Sequence, residues 1–382
     1  MKSVFCVLAV AGLAAAASAA PTLSALTSFG VNGWRAPNVI QSGDSAGSNN
    51  GTNYNYLGTG NLERGMAYNP VTGNLILVSR SSAGNGLRIL SGTTGDDLGR
   101  LNQGTGIISG GTFTTNKVGV SADGQIFVAN LATVSGTSNY KVYRWGSETD
   151  AAPTTYLSSS FGQTSIRFGD SFDATGSGAN VSLVTGANTS SGGGSPSTPS
   201  GYVVMQGGTG TYVNTFSSAL TGTRFRLGLT FGATADSVFG KVTSDSLYGT
   251  SYSGSTGSYS GSPAALTSAG EAQMDYVTIG GVGYLAAMDV NNSRVRIYDM
   301  TNPLAPVSLF AFGLTTTTGT LASNGNATGD VRWGAVDNGN LSATLYAMSS
   351  NQGIQAFTFA VPTPGTLGLA LAGGLLAARR RR

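Results

Sequence analysis

A loose unit of roughly fifty residues recurs along the chain, and a repeat of that period points to an array of supersecondary modules. Each unit opens with a short strand that ends in a turn. The versions are RGMAYNP from Arg64, KVGVSAD from Lys117, RFGDSFDAT from Arg167, RFRLGLTFG from Arg224, QMDYVTIGG from Gln273 and DVRWGAVDN from Asp330. An apolar strand follows at 75–78, 126–129, 181–184, 237–242, 284–288 and 345–348. A third strand is read at 87–90, 141–145, 202–206, 294–300 and 354–359, and a fourth at 98–101 and 307–310. Thr72-Gly73-Asn74 and Ala122-Asp123-Gly124 join first strand to second, and such pairs supply the positive φ that a tight hairpin needs. Four antiparallel strands per unit make a propeller blade.

The predicted fold is therefore all-β: a β-propeller of about six four-stranded blades, seven if residues 34–60 form one. A β-sandwich or a solenoid is the alternative. The last unit runs out after its third strand, while residues 23–29 form an unmatched strand at the other end. Pairing the two closes the ring and hides a sheet edge. Residues 190–200 and 251–262 are rich in Gly and Ser and read as loops.

Composition removes whole classes of chemistry. The chain has no histidine, which rules out Ser-His-Asp hydrolysis and His-ligated zinc. Gly43-Asp44-Ser45-Ala46-Gly47 matches G-x-S-x-G, but a serine nucleophile needs a base, and the usual one does not exist here. The sole cysteine, Cys6, lies in the N-terminal apolar run.

That run belongs to residues 1–19, which have the form of a secretory signal: Lys2, an apolar stretch, then Ala17-Ser18-Ala19 as a cleavage site. At the other end, residues 365–378 form an uncharged, mostly apolar run of 14 residues. It is closed by Arg379, Arg380, Arg381 and Arg382. A membrane helix of that length is short. The arginines extend its reach and orient it with the body outside. Without these ends the body carries 15 basic against 17 acidic residues, so no basic excess points to nucleic acid as a partner.

Pro362-Thr363-Pro364-Gly365, the short apolar run and the arginine cluster together resemble the PEP-CTERM sorting signal of Gram-negative bacteria. Thr363 stands where that family usually has Glu. The resemblance implies an exosortase-like sorting enzyme as a partner. It also implies release at the cell surface or in the extracellular matrix, or membrane anchoring there through the tail. The domain division is then a signal peptide at 1–19, the propeller-like body at 20–360 and the sorting tail at 361–382. Asn69 to Leu75, N-P-x-T-G-x-L, is similar to a phrase of bacterial extracellular propellers.

Candidate ligand residues are the acids of first strands and turns, Asp170, Asp173, Asp236, Asp275 and Asp337. Paired carboxylates do acid–base work or hold Ca²⁺, the one cofactor these residues suggest. Asp beside Gly, Ser or Asn is also an ordinary turn former. Trp34, Trp145 and Trp333 could stack on sugars, although packing between blades explains Trp145 and Trp333 better. With no catalytic constellation, the expectation is a non-catalytic propeller that binds glycans or envelope proteins or serves structurally. The alternative is a propeller enzyme acting on polysaccharide through Asp and Tyr at the channel mouth.

Overall fold

The computed structural model describes residues 20–45, 56–80, 86–189, 201–214, 224–259, 264–290, 292–313, 324, 326 and 328–362. Its N-terminal strands are β1 (Thr22–Ala25) and β2 (Trp34–Arg35). Blade 1 is β3 (Glu63–Tyr68), β4 (Asn74–Ser79), β5 (Leu87–Ser91) and β6 (Asp97–Arg100). Blade 2 is β7 (Phe113–Val120), β8 (Ile126–Thr133), β9 (Tyr140–Trp145) and β10 (Thr154–Ser159). In blade 3 the inner strand is broken into β11 (Ile166–Phe168) and β12 (Asp173–Thr175). These precede β13 (Ser182–Thr189), β14 (Gly201–Gln206) and β15 (Thr209–Asn214). Blade 4 is β16 (Gly228–Phe231), β17 (Ser237–Lys241), β18 (Tyr248–Ser253) and β19 (Thr256–Tyr259). Blade 5 is β20 (Glu271–Ile279), β21 (Val282–Asp289), β22 (Arg294–Asp299) and β23 (Val307–Gly313). Blade 6 holds β24 (Gly329–Asp337), β25 (Ser342–Ser349) and β26 (Ile354–Ala360).

The ring closes as a propeller. The inner strands touch in the cyclic order β3, β7, β12, β16, β20, β24 and back to β3. β1 completes blade 6 by antiparallel pairing with β26, Thr22 opposite Ala360 and Ala25 opposite Phe357. The closing strand is shorter than the expected 23–29. After Ala25 the chain turns inward and buries Phe29 completely against Tyr346, Leu75 and Ile354. Trp34 and Arg35 then extend the same sheet edge opposite Gln355 and Ile354. The six inner strands already close on one another, β24 touching β3, so the ring has six blades and not seven. The expected loop at 251–262 is also corrected: its first part is the hairpin of β18 and β19, turning at Gly254. Tyr252 and Tyr259 pack there against the core between blades 3 and 4, which outweighs the Gly/Ser composition. Residues 190–200 lie outside the described residues.

Among the described residues, six apolar clusters fill the interfaces between successive blades. Trp145 is fully buried between blades 1 and 2, and its indole N–H donates to the Asn102 carbonyl at 2.7 Å. Trp333 belongs to the cluster between blades 5 and 6. The N-P-x-T-G-x-L segment is a clip between blades. Asn69 and Asn74 side-chain amides donate to the Glu148 carboxylate of blade 2 at 2.7 and 2.8 Å, and Thr72 Oγ1 donates to it at 2.5 Å.

Asp44 of the G-x-S-x-G segment is structural. Its carboxylate pairs with the buried Arg35 at 3.0 Å and accepts the Asp97 backbone N–H at 2.7 Å. Residues 1–19, expected as a signal, and residues 363–382 of the expected sorting tail lie outside the described residues. Among the described residues no helix is long and apolar enough to cross a membrane.

Candidate functional site

All six inner strands run from one end of the channel to the other, so their first residues ring one mouth and their last residues the other. The inner strands approach too closely for a side chain in places. A Cβ on Gly228 would fall 1.5 Å from the Ala272 carbonyl oxygen of the next blade.

The channel's middle is filled by an ionic cluster. Arg332 of β24 reaches Asp173 of β12 at 2.8 Å, Asp330 at 3.3 Å and Asp275 of β20 at 3.8 Å. Its guanidinium also donates to the carbonyls of Met66 and Phe172, at 2.9 and 2.8 Å. Lys117 of β7 is 3.6 Å from Asp330. Each acid also accepts a backbone N–H from a following inner strand. Asp173 takes Phe231 at 2.9 Å, Asp275 takes Trp333 at 2.7 Å, and Asp330 takes Met66 at 3.0 Å. These carboxylates therefore tie blade 3 to 4, 5 to 6 and 6 to 1. Burial lowers Arg332, but the surrounding Asp330, Asp173 and Asp275 outweigh it and hold the guanidinium above its ordinary value. Burial pushes the Asp275 carboxyl up to about 7, against the opposing pull of Arg332.

The expected acids thus divide. Asp173 and Asp275 do converge in the channel, joined by Asp330, which the sequence reading passed over. A guanidinium of the chain itself occupies the space between them. No group of three or more acids placed to hold a metal ion occurs among the described residues. Asp170 reaches the first mouth. Asp236 is exposed and lines neither mouth. Asp337 is a turn former that accepts the N–H groups of Gly339 and Asn340 at 2.9 and 3.0 Å. Those bonds and the Asn340 side chain hold its carboxyl below the usual range.

The mouth where the inner strands begin encloses about 580 Å³ and is basic. Arg64, Arg80, Lys117, Arg167 and Arg226 line it, against the single carboxylate of Asp170. Arg167 and Arg226 hold that carboxylate at 2.6 and 3.2 Å. Arg64 donates instead to the Glu63 carbonyl at 2.7 Å and to Thr328 Oγ1 at 3.1 Å. Arg80 donates through Nε to Asn116 Oδ1 at 3.0 Å, and its guanidinium stacks 3.4 Å from the Phe113 ring centre. Among the described residues neither Arg64 nor Arg80 has a carboxylate partner. Burial lowers the Arg64 guanidinium, with Glu63 and Asp170 opposing. Burial and then the neighbouring charge of Arg64 push Arg80 down to about 9, which leaves it charged at neutral pH.

Local irregularities aim these groups. In β3 one extra residue, Arg64, sits between the pairs Glu63–Ser79 and Gly65–Val78. In β7 the ladder slips between Phe113 and Lys117, which throws Asn116 toward the mouth. In β20 it slips between Glu271 and Met274, at Gln273. A bulge re-aims a side chain in this way. Sequence reasoning pursued acids and missed the cations. Their signal is nonetheless present: Arg64, Lys117, Arg167 and Arg226 each lie at or near the head of a repeat unit.

The other mouth, about 380 Å³, is lined by Tyr68, Asp173, Asp275, Tyr276, Arg332 and Trp333 among others. It offers acids and aromatic side chains but no uncompensated cation.

The sequence matches no protein-family model and no curated protein. Among solved structures, the fold is similar to the major allergen Mala s 1 of Malassezia sympodialis. That match has a TM-score of 0.50 and 11% identity, covering 78% of this chain and 92% of that one. Regucalcin, a calcium-binding protein of Agrobacterium tumefaciens, matches with a TM-score of 0.48 and 10% identity, over 87% of this chain and 95% of that one. The six-bladed β-propeller lectin of Aleuria aurantia matches with a TM-score of 0.44 and 14% identity, over 80% and 98%. At such identities the likeness is one of fold, and the fold, read from its own strand pairing, is a β-propeller.

Proposed function

We propose that this protein is an exported, non-catalytic binding propeller that captures an acidic glycan of the cell surface or extracellular matrix at its basic mouth. The observation that carries the reading is the gathering of five cationic side chains around one cavity against a single carboxylate. A cleft lined by one sign of charge, with low-dielectric walls, focuses its field on a ligand of the other sign. The neutral side chains of Gln273, Thr243 and Thr328 in the same lining suit sugar hydroxyls. Export and surface retention rest on residues 1–19 and on the PEP-CTERM-like tail, with an exosortase-like enzyme as the processing partner. Such a route delivers the mouth to acidic polymers outside the cell.

The test is retention of the purified protein on immobilised polygalacturonate and alginate beside neutral dextran, with elution by salt. Retention on the acidic polymers alone, weakening as salt screens the charges, is expected. Equal passage through all three columns would remove the reading. Fractionation should place the body outside the cytoplasmic membrane, and mass spectrometry of the C-terminus would show whether the tail is cut near Thr363.

A second reading is a propeller enzyme acting on polysaccharide through the other mouth. It is favoured by Asp275, pushed up to about 7 by burial and adjacent to Tyr276 in the same lining. Such a carboxyl has the value a general acid needs. Its backbone contacts to Trp333 and Tyr276 speak for a structural post instead. Shortening of an offered polysaccharide, lost in Asp275→Asn, would establish the enzyme.

A further inference from the structure

Resting on that reading, we infer that the side of the basic mouth between blades 1 and 2 is a two-part subsite for consecutive sugars of a uronate-bearing chain. Arg64 and Arg80, the latter steadied by the buried Asn116, take the carboxylate-bearing ring. Phe113 carries the next ring outward into an adjoining cavity.

The asymmetry of charge selects this side. Arg167 and Arg226 already share the Asp170 carboxylate, and Lys117 faces Asp330. Arg64 and Arg80 are bound only to neutral oxygens, those of Glu63 carbonyl, Thr328, Ser350 and Asn116. Two guanidinium groups crowded in a partly buried mouth, with no carboxylate in contact among the described residues, leave room for an anion. A planar fork that matches a carboxylate is the geometry arginine supplies.

A second observation points to a ligand independently. The Gln273 side chain is only 4% exposed, and its Oε1 has no hydrogen-bond partner. A buried acceptor left unpaired costs stability, so native structures satisfy nearly all of them. Gln273 lines the same cavity from β20, across the channel from blades 1 and 2.

The direction of the chain follows from shared walls. Arg80 and Phe113 line both the mouth and a second cavity of about 200 Å³ formed with Ser79, Gln103, Thr114 and Thr115. The Arg80 guanidinium stacked on Phe113 holds the ring in place, yet the residue remains 39% exposed. An aromatic side chain kept partly open between two polar cavities is a platform for a sugar face. A polymer is accommodated because the site leads out between blades 1 and 2 and does not end blindly in the channel.

Isothermal titration with galacturonate, trigalacturonate and inorganic phosphate tests the assignment on the wild type and on Arg80→Gln, Phe113→Ala and Arg226→Gln. Arg80→Gln should weaken monomer and trimer alike by about tenfold or more, the loss of one charge-assisted hydrogen bond. Phe113→Ala should weaken the trimer by about tenfold and leave the monomer unchanged, as removal of a stacking platform does. Arg80→Lys and Phe113→Leu, which preserve charge and bulk, keep the comparison open if a harsher variant misfolds. They should bind more tightly than Arg80→Gln and Phe113→Ala. If Arg226→Gln abolishes binding while Arg80→Gln and Phe113→Ala match wild type, the subsite is overturned and the basic mouth stands. If no variant alters binding of the acidic trimer, the mouth itself is refuted as the site. Phosphate outcompeting galacturonate at equal concentration would overturn the carboxylate assignment.

Discussion

Deleting residues 20–30 should unfold the ring, because those residues supply the strand that closes blade 6. β1 pairs four residues with β26, and Leu26 N–H adds a bond to the Ala356 carbonyl at 2.9 Å. At about 1 kcal/mol net for each hydrogen bond, the ladder contributes roughly 4 kcal/mol. Phe29 is fully buried and its ring centre lies 5.8 Å from that of Tyr346. Burying Phe29 together with the partly buried Leu23 contributes roughly another 3–4 kcal/mol. The sum, about 8 kcal/mol, is comparable to the whole stability of a typical domain, about 5–15 kcal/mol. The deletion also bares one edge of β26, an apolar strand with a row of unpaired backbone groups, so aggregation should follow. Removing residues 190–200 is the control, since loop length enters stability only at about 0.6 kcal/mol per doubling. Scanning calorimetry and size-exclusion chromatography read both variants. The N-terminal deletion should aggregate or show no cooperative transition, and the loop deletion should melt near wild type as a monomer. Comparable melting of the two would refute closure by β1.

Two further outcomes probe the channel. Arg332→Ala leaves Asp173, Asp275 and Asp330 facing one another without their central cation, so it should cost about 3–5 kcal/mol. A shift of the urea midpoint to lower concentration checks this, and a midpoint unchanged from wild type would contradict it. Asp275 holds a proton in the folded state up to about pH 7, while in the unfolded chain it releases it near its ordinary value of 3.8. Stability from this group is therefore full below the lower value and is lost as pH rises through the higher one. Urea melts at steps across that window should show the decline in wild type and a flatter profile in Asp275→Asn. Identical slopes in both would show that another group carries it.

Much of the ring was legible because blade architecture is written in local signals. The alternation of each strand, the Thr72-Gly73-Asn74 turn and the apolar runs such as Leu75 to Val78 need only near neighbours to be read. Closure was legible too, through a missing strand at one end and a spare one at the other. The strand at Tyr248–Ser253 was hidden because its Ser and Gly residues mimic a loop, and only distant packing of its tyrosines makes it a strand. The basic mouth was hidden for a different reason. Arg80 follows a second strand and meets Asn116 of the next blade 36 residues on, through a slip in the β7 ladder that no local pattern announces. Asp173 and Asp275, expected as ligand candidates, lie in the channel, but their surroundings depend on Arg332, which reaches Asp173 from 159 residues away.

The closure of blade 6 bears on how the molecule carries mechanical load. β26 ends at Ala360, where it is paired with Ser342 of β25 on one side and Thr22 of β1 on the other. The next residue, Val361, donates its N–H to the Leu341 carbonyl at 2.8 Å. A tether attached beyond this point pulls on a strand gripped along both edges, whose inward-facing Phe357 and Phe359 are fully buried. Tension along the strand axis must shear both ladders together, whereas an edge strand would peel from one neighbour a bond at a time. The N-terminal strand, bonded beside the end of β26, would thus act as a clamp that spreads traction from such a tether across blade 6 and into the ring.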